Sequence, residues 1–302
     1  MRGCLVSSSK LLQLNNKDKV RTIHINAVQG FNEFTAEAYE KARPSYSSST
    51  TAFIRSVLCD NKTPENFHFL ELGAGTGKFT RALFDDENKQ QLTSFRSIGS
   101  YIASEPSQGF LDVLQKTVPK GVTRVMKATG DQIPLPSSSL DGIIVAQAFH
   151  WMSNTPTLNE VHRVLKKDGA LVMVWNSMDV SVPWISVLEF DILTRLGYNG
   201  TDAPRYITME WEDIFFQHET KSQFSSLTKW TNPEKIASAV SAQFIIDRLN
   251  SVSVVANRTD IEKKQIAKEV QQLLKSHPDT RALSDGEYNL QYRTDVAFCR
   301  KF

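Results

Sequence analysis

The sequence predicts an α/β fold in which a largely parallel sheet carries helices on both faces. Three observations lead there. Apolar runs of strand length alternate with segments of helical periodicity through roughly the first 180 residues. One run, "DGIIVAQAF" at 141–149, is almost continuously apolar, as a parallel strand buried on both faces requires. A glycine-rich turn, "FLELGAGTGKFT" at 69–80, joins the first strand to the helix after it. Such a turn lets another molecule approach the backbone closely.

Residues 30–43, "GFNEFTAEAYEKAR", read as a helix stopped by Pro44. Phe67, Phe69, Leu70 and Leu72 make the first strand, and a helix starts near Gly77. A second strand, about 97–104, ends in Ala103-Ser104-Glu105, and a helix covers about 107–116. Residues 122–128 make a third strand leading into "GDQIPLP", and 141–149 is the fourth. Leu158, Val161, Val164 and Leu165 share one helix face, and Lys166, Lys167 and Gly169 are expected to end that helix. "ALVMVW" at 170–175 is the fifth strand. Farther on, Ile236, Val240 and Phe244 are spaced for a helix. Thr259-Asp-Ile-Glu262 is a capping box; Ile266, Val270, Leu273 and Leu274 follow on one face, and Pro278 closes the element. Tyr288, Leu290, Tyr292, Thr294, Val296 and Phe298 alternate strictly, which predicts a long strand. A helical insertion over about 231–284 is therefore expected between the last two strands of one domain, 30–302.

Composition narrows the function. The chain has 302 residues, 40% apolar, with a net charge of +2 and no long basic run, which argues against a nucleic-acid groove. Cys4, Cys59 and Cys299 are scattered and form no C-x-x-C pair, so neither a disulfide framework nor a zinc site is expected. No apolar stretch reaches membrane-spanning length. A soluble monomer in the cytoplasm is the expectation. Residues 1–29 read as a flexible, solvated tail; the basic, serine-rich, acid-poor character of 1–23 leaves a mitochondrial transit peptide as the alternative.

Spacing excludes two nucleotide-binding loops. A phosphate-cradling G-x-x-x-x-G-K-[ST] would need glycine at 72 and Ser or Thr at 79, where the chain has Leu72 and Phe79. The dinucleotide pattern G-x-G-x-x-G takes Gly73 and Gly75 but meets Lys78 in third place. What remains is acid-x-G-x-G-x-G, opened by Glu71. Ligands of open α/β sheets lie beyond the carboxyl ends of the strands. There the first strand offers Gly73, Gly75 and Gly77, whose missing side chains let a cofactor lie on the backbone. The second offers Glu105, a carboxylate able to accept two hydrogen bonds from a ribose diol. It stands 32 residues beyond Gly73 rather than the usual ~20, and the polar insert 85–97 accounts for the excess. The third offers Asp131, placed to accept from an adenine amino group, and the fourth Gln147, His150 and Trp151.

This set, in this order, resembles the class I S-adenosyl-L-methionine (SAM) methyltransferases over about residues 30–180. Within that family it is similar to the subgroup containing the trans-aconitate methyltransferases and, more distantly, the ubiquinone/menaquinone C-methyltransferases. The matching segments are "YEKARPSY", "ELGAGTGKFT", "ASEPS", "GDQIPLPSSSLDGIIVAQAFHW" and "EVHRVLKKDGALVMVWN". The resemblance implies a Rossmann-like, seven-stranded sheet with its last strand antiparallel, and SAM lying across Gly73, Ala74, Gly75, Gly77, Glu105, Asp131 and Gln132, with Gln147 beside it. It implies an indirect role for Glu71, through the methionine amine or a water. It makes the helix bearing Tyr39 and Arg43 a lid, with Tyr39 on the cofactor and Arg43 near the substrate; a plain surface helix is the alternative. The subgroup carries proline after "RPSY", where this chain has Ser47, so entry into the next helix is expected to differ.

Methyl transfer from a sulfonium is an in-line displacement, so the protein must align the acceptor and exclude water. A carboxylate acceptor needs no base. A phenol, thiol or carbon acid does, and His150 is then the candidate; a packed structural histidine is the equal alternative. Trp151 reads as core or as pocket wall, and Trp175, Trp184, Trp211 and Trp230 as core or pocket lining. No metal-ligand cluster is visible. Three functions stay open: methylation of a small molecule, favoured as O-methylation of a carboxylate; methylation of RNA or protein; and SAM binding without catalysis. Arg43, with Arg205 of "APRYI" as a second guanidinium, motivates the first.

Overall fold

The computed structural model describes residues 40–60, 66–85, 99–121, 123–196, 204–256, 258–280, 283 and 286–302. The expected tail, Tyr39 and nearly all of the 85–97 insert lie outside these residues; of the expected first helix, 30–43, only residues 40–43 are described, helical through 42 with a bend at Arg43.

Ser47 shows how the chain enters its next helix without the proline. Its hydroxyl accepts from the Thr50 amide at 3.3 Å, so it is the N-cap of α1, Ser48–Cys59. Then follow β1 (His68–Leu72), α2 (Lys78–Phe84), β2 (Ser100–Ser104), α3 (Gln108–Thr117), β3 (Thr123–Met126) and β4 (Leu140–Ala146). The fourth strand is shorter than its apolar run: Phe149–Trp151 turn as a 3-10 helix, because Gln147 takes a positive φ of 59°. After α4 (Thr155–Val164) comes β5 (Leu165–Met178). Lys166, Lys167 and Gly169 thus lie in the strand and not at a helix end. Asp168, at φ 63°, carries the irregularity there, and β4–β5 pairing shifts register between Leu140 and Gly142.

The sheet order is β3-β2-β1-β4-β5-β8-β6, where β6 is Thr228–Thr231 and β8 is Tyr288–Arg300. β1 to β5 pair in parallel, and β8 runs antiparallel to β5 from Ala170↔Arg300 to Met178↔Tyr292. An eighth strand, β7 (Ile236–Val240), pairs with the other half of β8. The helix expected at Ile236 is therefore a strand. The first half of β8 presents open backbone groups, and pairing Ile236–Val240 with Tyr288–Tyr292 satisfies them. Past α5 (Pro183–Ser186) and α6 (His218–Gln223), the inserted helices occupy 242–276: α7 (Ala242–Asn250), α8 (Ser253–Ala256) and α9 (Asp260–Ser276), the last opened by the Thr259/Glu262 capping box.

Two cores follow from the period-two alternation of the strands. Leu70, Leu72, Ile143, Val145, Met173 and Trp175 face one layer of helices, and Phe69, Ile144, Ala146, Val172 and Val174 the other. A third core caps the carboxyl end of β5. There Met178 and Tyr292 meet Trp184 and Ile185 of α5 (Pro183–Ser186), Leu188 and Ile192 of the π-helical turn Val187–Leu193, and Ile245, Leu249, Ile266 and Val270 of the insertion.

Candidate active site

The glycine loop closes over a cavity lined by Arg43, Tyr46, Glu71, Gly73, Ala74, Gly75, Thr76, Lys78, Ala146 and Gln147. Gly73, Gly75 and Gly77 all take positive φ, of 72°, 59° and 81°. Their free space differs. A Cβ on Gly77 would lie 2.9 Å from both Leu114 and Val118, so that glycine exists to let α3 pack, and it does not line the cavity. A Cβ on Gly73 would lie 3.0 Å from Ala148. On Gly75 the nearest neighbour would be Phe110 at an ordinary 3.7 Å, so here the missing side chain leaves room.

Glu71 is fully buried at the end of β1. Its Oε2 accepts from Thr80 Oγ1 and, at 2.7 Å, from the Tyr101 hydroxyl. Its Oε1 is buried with no hydrogen-bond partner among the described residues, and burial raises its carboxyl to a pKa of about 7. An orphan acceptor lining a cavity calls for a donor on the ligand. Glu105, at the end of β2, is 7% exposed. Its oxygens accept the amides of Gly75 and Ser107, both at 3.0 Å, so it holds the loop as well as standing beside it. Burial, only partly offset by those two amides, raises it to about 7. Asp131 and Gln132 sit in the turn after β3, where Thr129 and Gln132 bridge. Met152 ties this turn to the rim: Cβ atoms on Gly73 and Gly130 would lie 3.5 and 3.0 Å from it.

A second cavity shares Arg43 and Gln147 with the first and adds His150, Asn176, Glu189, Arg205, Tyr206 and Arg248. The Gln147 amide donates to the Asn176 carbonyl at 2.8 Å, and Asn176 donates to Ser45 O at 3.1 Å while accepting from Thr294 at 2.7 Å. His150 Nδ1 accepts the Trp175 indole N–H at 3.2 Å. Burial first, then the positive charges of Arg43 and Arg205, lowers the His150 pKa to about 3. Arg205 is buried and ion-paired with Glu189. Trp175 itself stacks on Tyr206 and meets Trp211 at a tilt of 38°, each ring centroid 4.5 Å away.

The Arg43 segment is strapped to the loop. Glu40 accepts from Thr76 and from Arg81, while Lys78 Nζ donates to the carbonyls of Glu40 and Arg43 at 2.7 and 2.9 Å. Of the sequence-derived candidates, Glu71, Gly73, Ala74, Gly75, Gln147 and Arg43 thus meet around one cavity, and Arg43, Gln147 and His150 around the next. Trp151 lines neither of these two; its ring lies 5.4 Å from that of His150. Sequence reasoning overlooked Glu40, Asn176 and Arg248. Only Arg248 left a signal: it stands three residues after Ile245 and next to Leu249, on the apolar face of α7.

The structure has the glycine loop after β1, the carboxylate after β2 and the antiparallel β8 that the resemblance to the class I methyltransferases implies. Comparison with known proteins agrees. Residues 70–173 match the family described as "Methyltransferase domain". An uncharacterized methyltransferase-like protein of Schizosaccharomyces pombe is 31% identical over 256 residues, covering 85% of this chain and 90% of its own. An uncharacterized methyltransferase of Mycobacterium tuberculosis is 29% identical over 241 residues, covering 80% and 84%. The structure of loganic acid methyltransferase with SAH shares the fold, with a TM-score of 0.55 over 95% of this chain and 98% of that one at 12% identity. The chain belongs to the SAM-dependent methyltransferases, and its cofactor is S-adenosyl-L-methionine. The loop cavity fits that group: Glu71 Oε1 awaits a donor and Gly75 leaves space.

Proposed function

We propose that this enzyme methylates a carboxylate oxygen of a small organic acid. One observation carries the reading: among the described residues, the lining of the second cavity offers hydrogen-bond donors and no competent base. With its Nδ1 occupied by the Trp175 N–H, neutral His150 keeps its proton on Nε2 and donates. A ring whose pKa is lowered to about 3 is too weak a base to ionise a phenol or thiol near neutral pH. Glu189, the one carboxylate among the described lining residues of the second cavity, is paired to Arg205. A carboxylate arrives ionised and requires only orientation.

In this reading SAM, held by Gly73, Ala74, Gly75, Glu71, Glu105, Asp131 and Gln132, supplies the electrophilic methyl group. Arg43 and the His150 Nε2–H grip the acceptor carboxylate from the second cavity. The Gln147–Asn176 hydrogen bond keeps the wall between the two cavities in place. Arg43 is a recognition residue, because a guanidinium binds a carboxylate bidentately. The test is turnover with methyl-labelled SAM and a panel of aliphatic mono- and dicarboxylic acids. The expected product is a base-labile methyl ester; a base-stable methylated phenol, thiol or carbon product overturns the reading.

A further inference from the structure

We propose that Arg248, carried by the helical insertion, is a specificity-determining residue that receives a second carboxylate of the acceptor. The inference rests on the carboxylate reading above and goes beyond it. Arg248 lies on α7, is 6% exposed, and lines the second cavity together with Arg43, His150 and Arg205. Arg205 has its carboxylate in Glu189. Arg248 does not: its Nε and Nη1 are buried without a hydrogen-bond partner, and no carboxylate pairs with it among the described residues. A buried guanidinium without a counter-ion is costly, and folding gains nothing from it. The cost is recovered when a ligand brings the anion.

The pairing says what kind of ligand. Arg205 already has Glu189, whereas Arg248 is left to take an anionic group from the ligand. Together with the carboxylate to be methylated, that makes the acceptor a dianion. After methylation of one carboxylate the product carries a single negative charge, so it binds less well than the substrate it came from. Placement separates the two positions. Arg43 lines both cavities and so stands toward the cofactor loop, whereas Arg248 lines only the second, on the wall built by the insertion with Leu193 and Val252.

The experiment has three arms. Calorimetry in the presence of S-adenosylhomocysteine compares glutarate and adipate with valerate and hexanoate, in wild type, Arg248→Gln and Arg248→Lys. The diacids should bind at least tenfold more tightly than the monoacids. Arg248→Gln should erase that preference, and Arg248→Lys should keep part of it. Diacids that fail to bind, or that keep their preference in Arg248→Gln, overturn the assignment. Thermal melting of the ligand-free protein is the second arm. Arg248→Met should raise the melting temperature, because it removes an unpaired buried charge; a lowered one makes Arg248 a structural residue and overturns the proposal. The third arm, detection of methyl esters from the same acids, decides the carboxylate reading separately. Tight, Arg248-dependent diacid binding without ester formation would retain Arg248 as an anion receptor and remove only that reading.

Discussion

Trp175 donates its indole N–H to His150 Nδ1 at 3.2 Å, and both groups sit among the aromatic and cationic side chains at the carboxyl end of the sheet. This bond fixes the tautomer. Together with the neighbouring guanidiniums, it turns the one histidine in the described cavity walls into a donor.

The first prediction concerns pH. With His150 at a pKa of about 3, His150 should add no step to kcat/KM between pH 6 and 8; any change there belongs to Glu71 and Glu105, each at about 7, and should persist in His150→Ala. His150→Ala should act mainly on KM, by about 0.5–1.5 kcal/mol, as for loss of one hydrogen bond. A pH–rate profile of both proteins checks this. A wild-type rise through an imidazole pKa of ~6.5 that vanishes in the variant would contradict it.

Two glycines of the loop should fail differently. Gly77→Ala forces a Cβ against Leu114 and Val118 at positive φ and should destabilise the fold by about 1–3 kcal/mol, read from urea unfolding. Gly75→Val fills the space left beside the loop and should abolish SAM binding in calorimetry. Equal SAM affinity in wild type and Gly75→Val would remove Gly75 from the cofactor site.

Glu105→Ala removes the acceptor for the Gly75 and Ser107 amides as well as the proposed ribose ligand. SAM affinity should fall by about 1.5–3 kcal/mol, the range for hydrogen bonds to a charged group. Calorimetry with S-adenosylhomocysteine measures it, and unaltered binding would show the assignment to be wrong.

Glu71 gives a stability prediction with a definite sign. Its carboxyl has a pKa of about 7 in the fold against 4.5 ordinarily, so between those values the folded state holds a proton that the unfolded state has released. Stability from this group therefore falls as pH rises from 4.5 to about 7 and is level above. Glu71→Gln, which keeps an acceptor for Thr80 and Tyr101, should melt above wild type at pH 8 without ligand and level with it below pH 4.5. A pH-independent gap would refute the linkage.

The sequence made the sheet legible because buried parallel strands and the glycine turn are local patterns. Glu71, Gly73, Gly75, Arg43 and His150 could be named as candidates for the same reason: each sits at or beside a strand end or in a recognisable segment, and each lines one of the two cavities. Local patterns misled where tertiary contacts decide. Ile236 and Val240 fit a helical spacing as well as a strand, and only the open half of β8 selects the strand. Gly77 also has a packing role that no local pattern announces: the helix it admits is 37 residues farther along, at Leu114. The Glu40 strap joins residues 36 and 41 apart, and no spacing rule reaches that far.

β8 belongs to two places at once. Val296 and Ala297 lie in the sheet cores, whereas Leu290 and Tyr292, a few residues earlier on the same strand, lie in the core of the insertion. β5 runs beside it without a break from Ala170 to Met178. The insertion is thus fastened to the catalytic sheet by two unbroken backbones, and neither supplies a hinge. It should melt with the sheet in a single cooperative transition, and a chain cut between Met178 and Pro183 should lose the cofactor site along with the acceptor site.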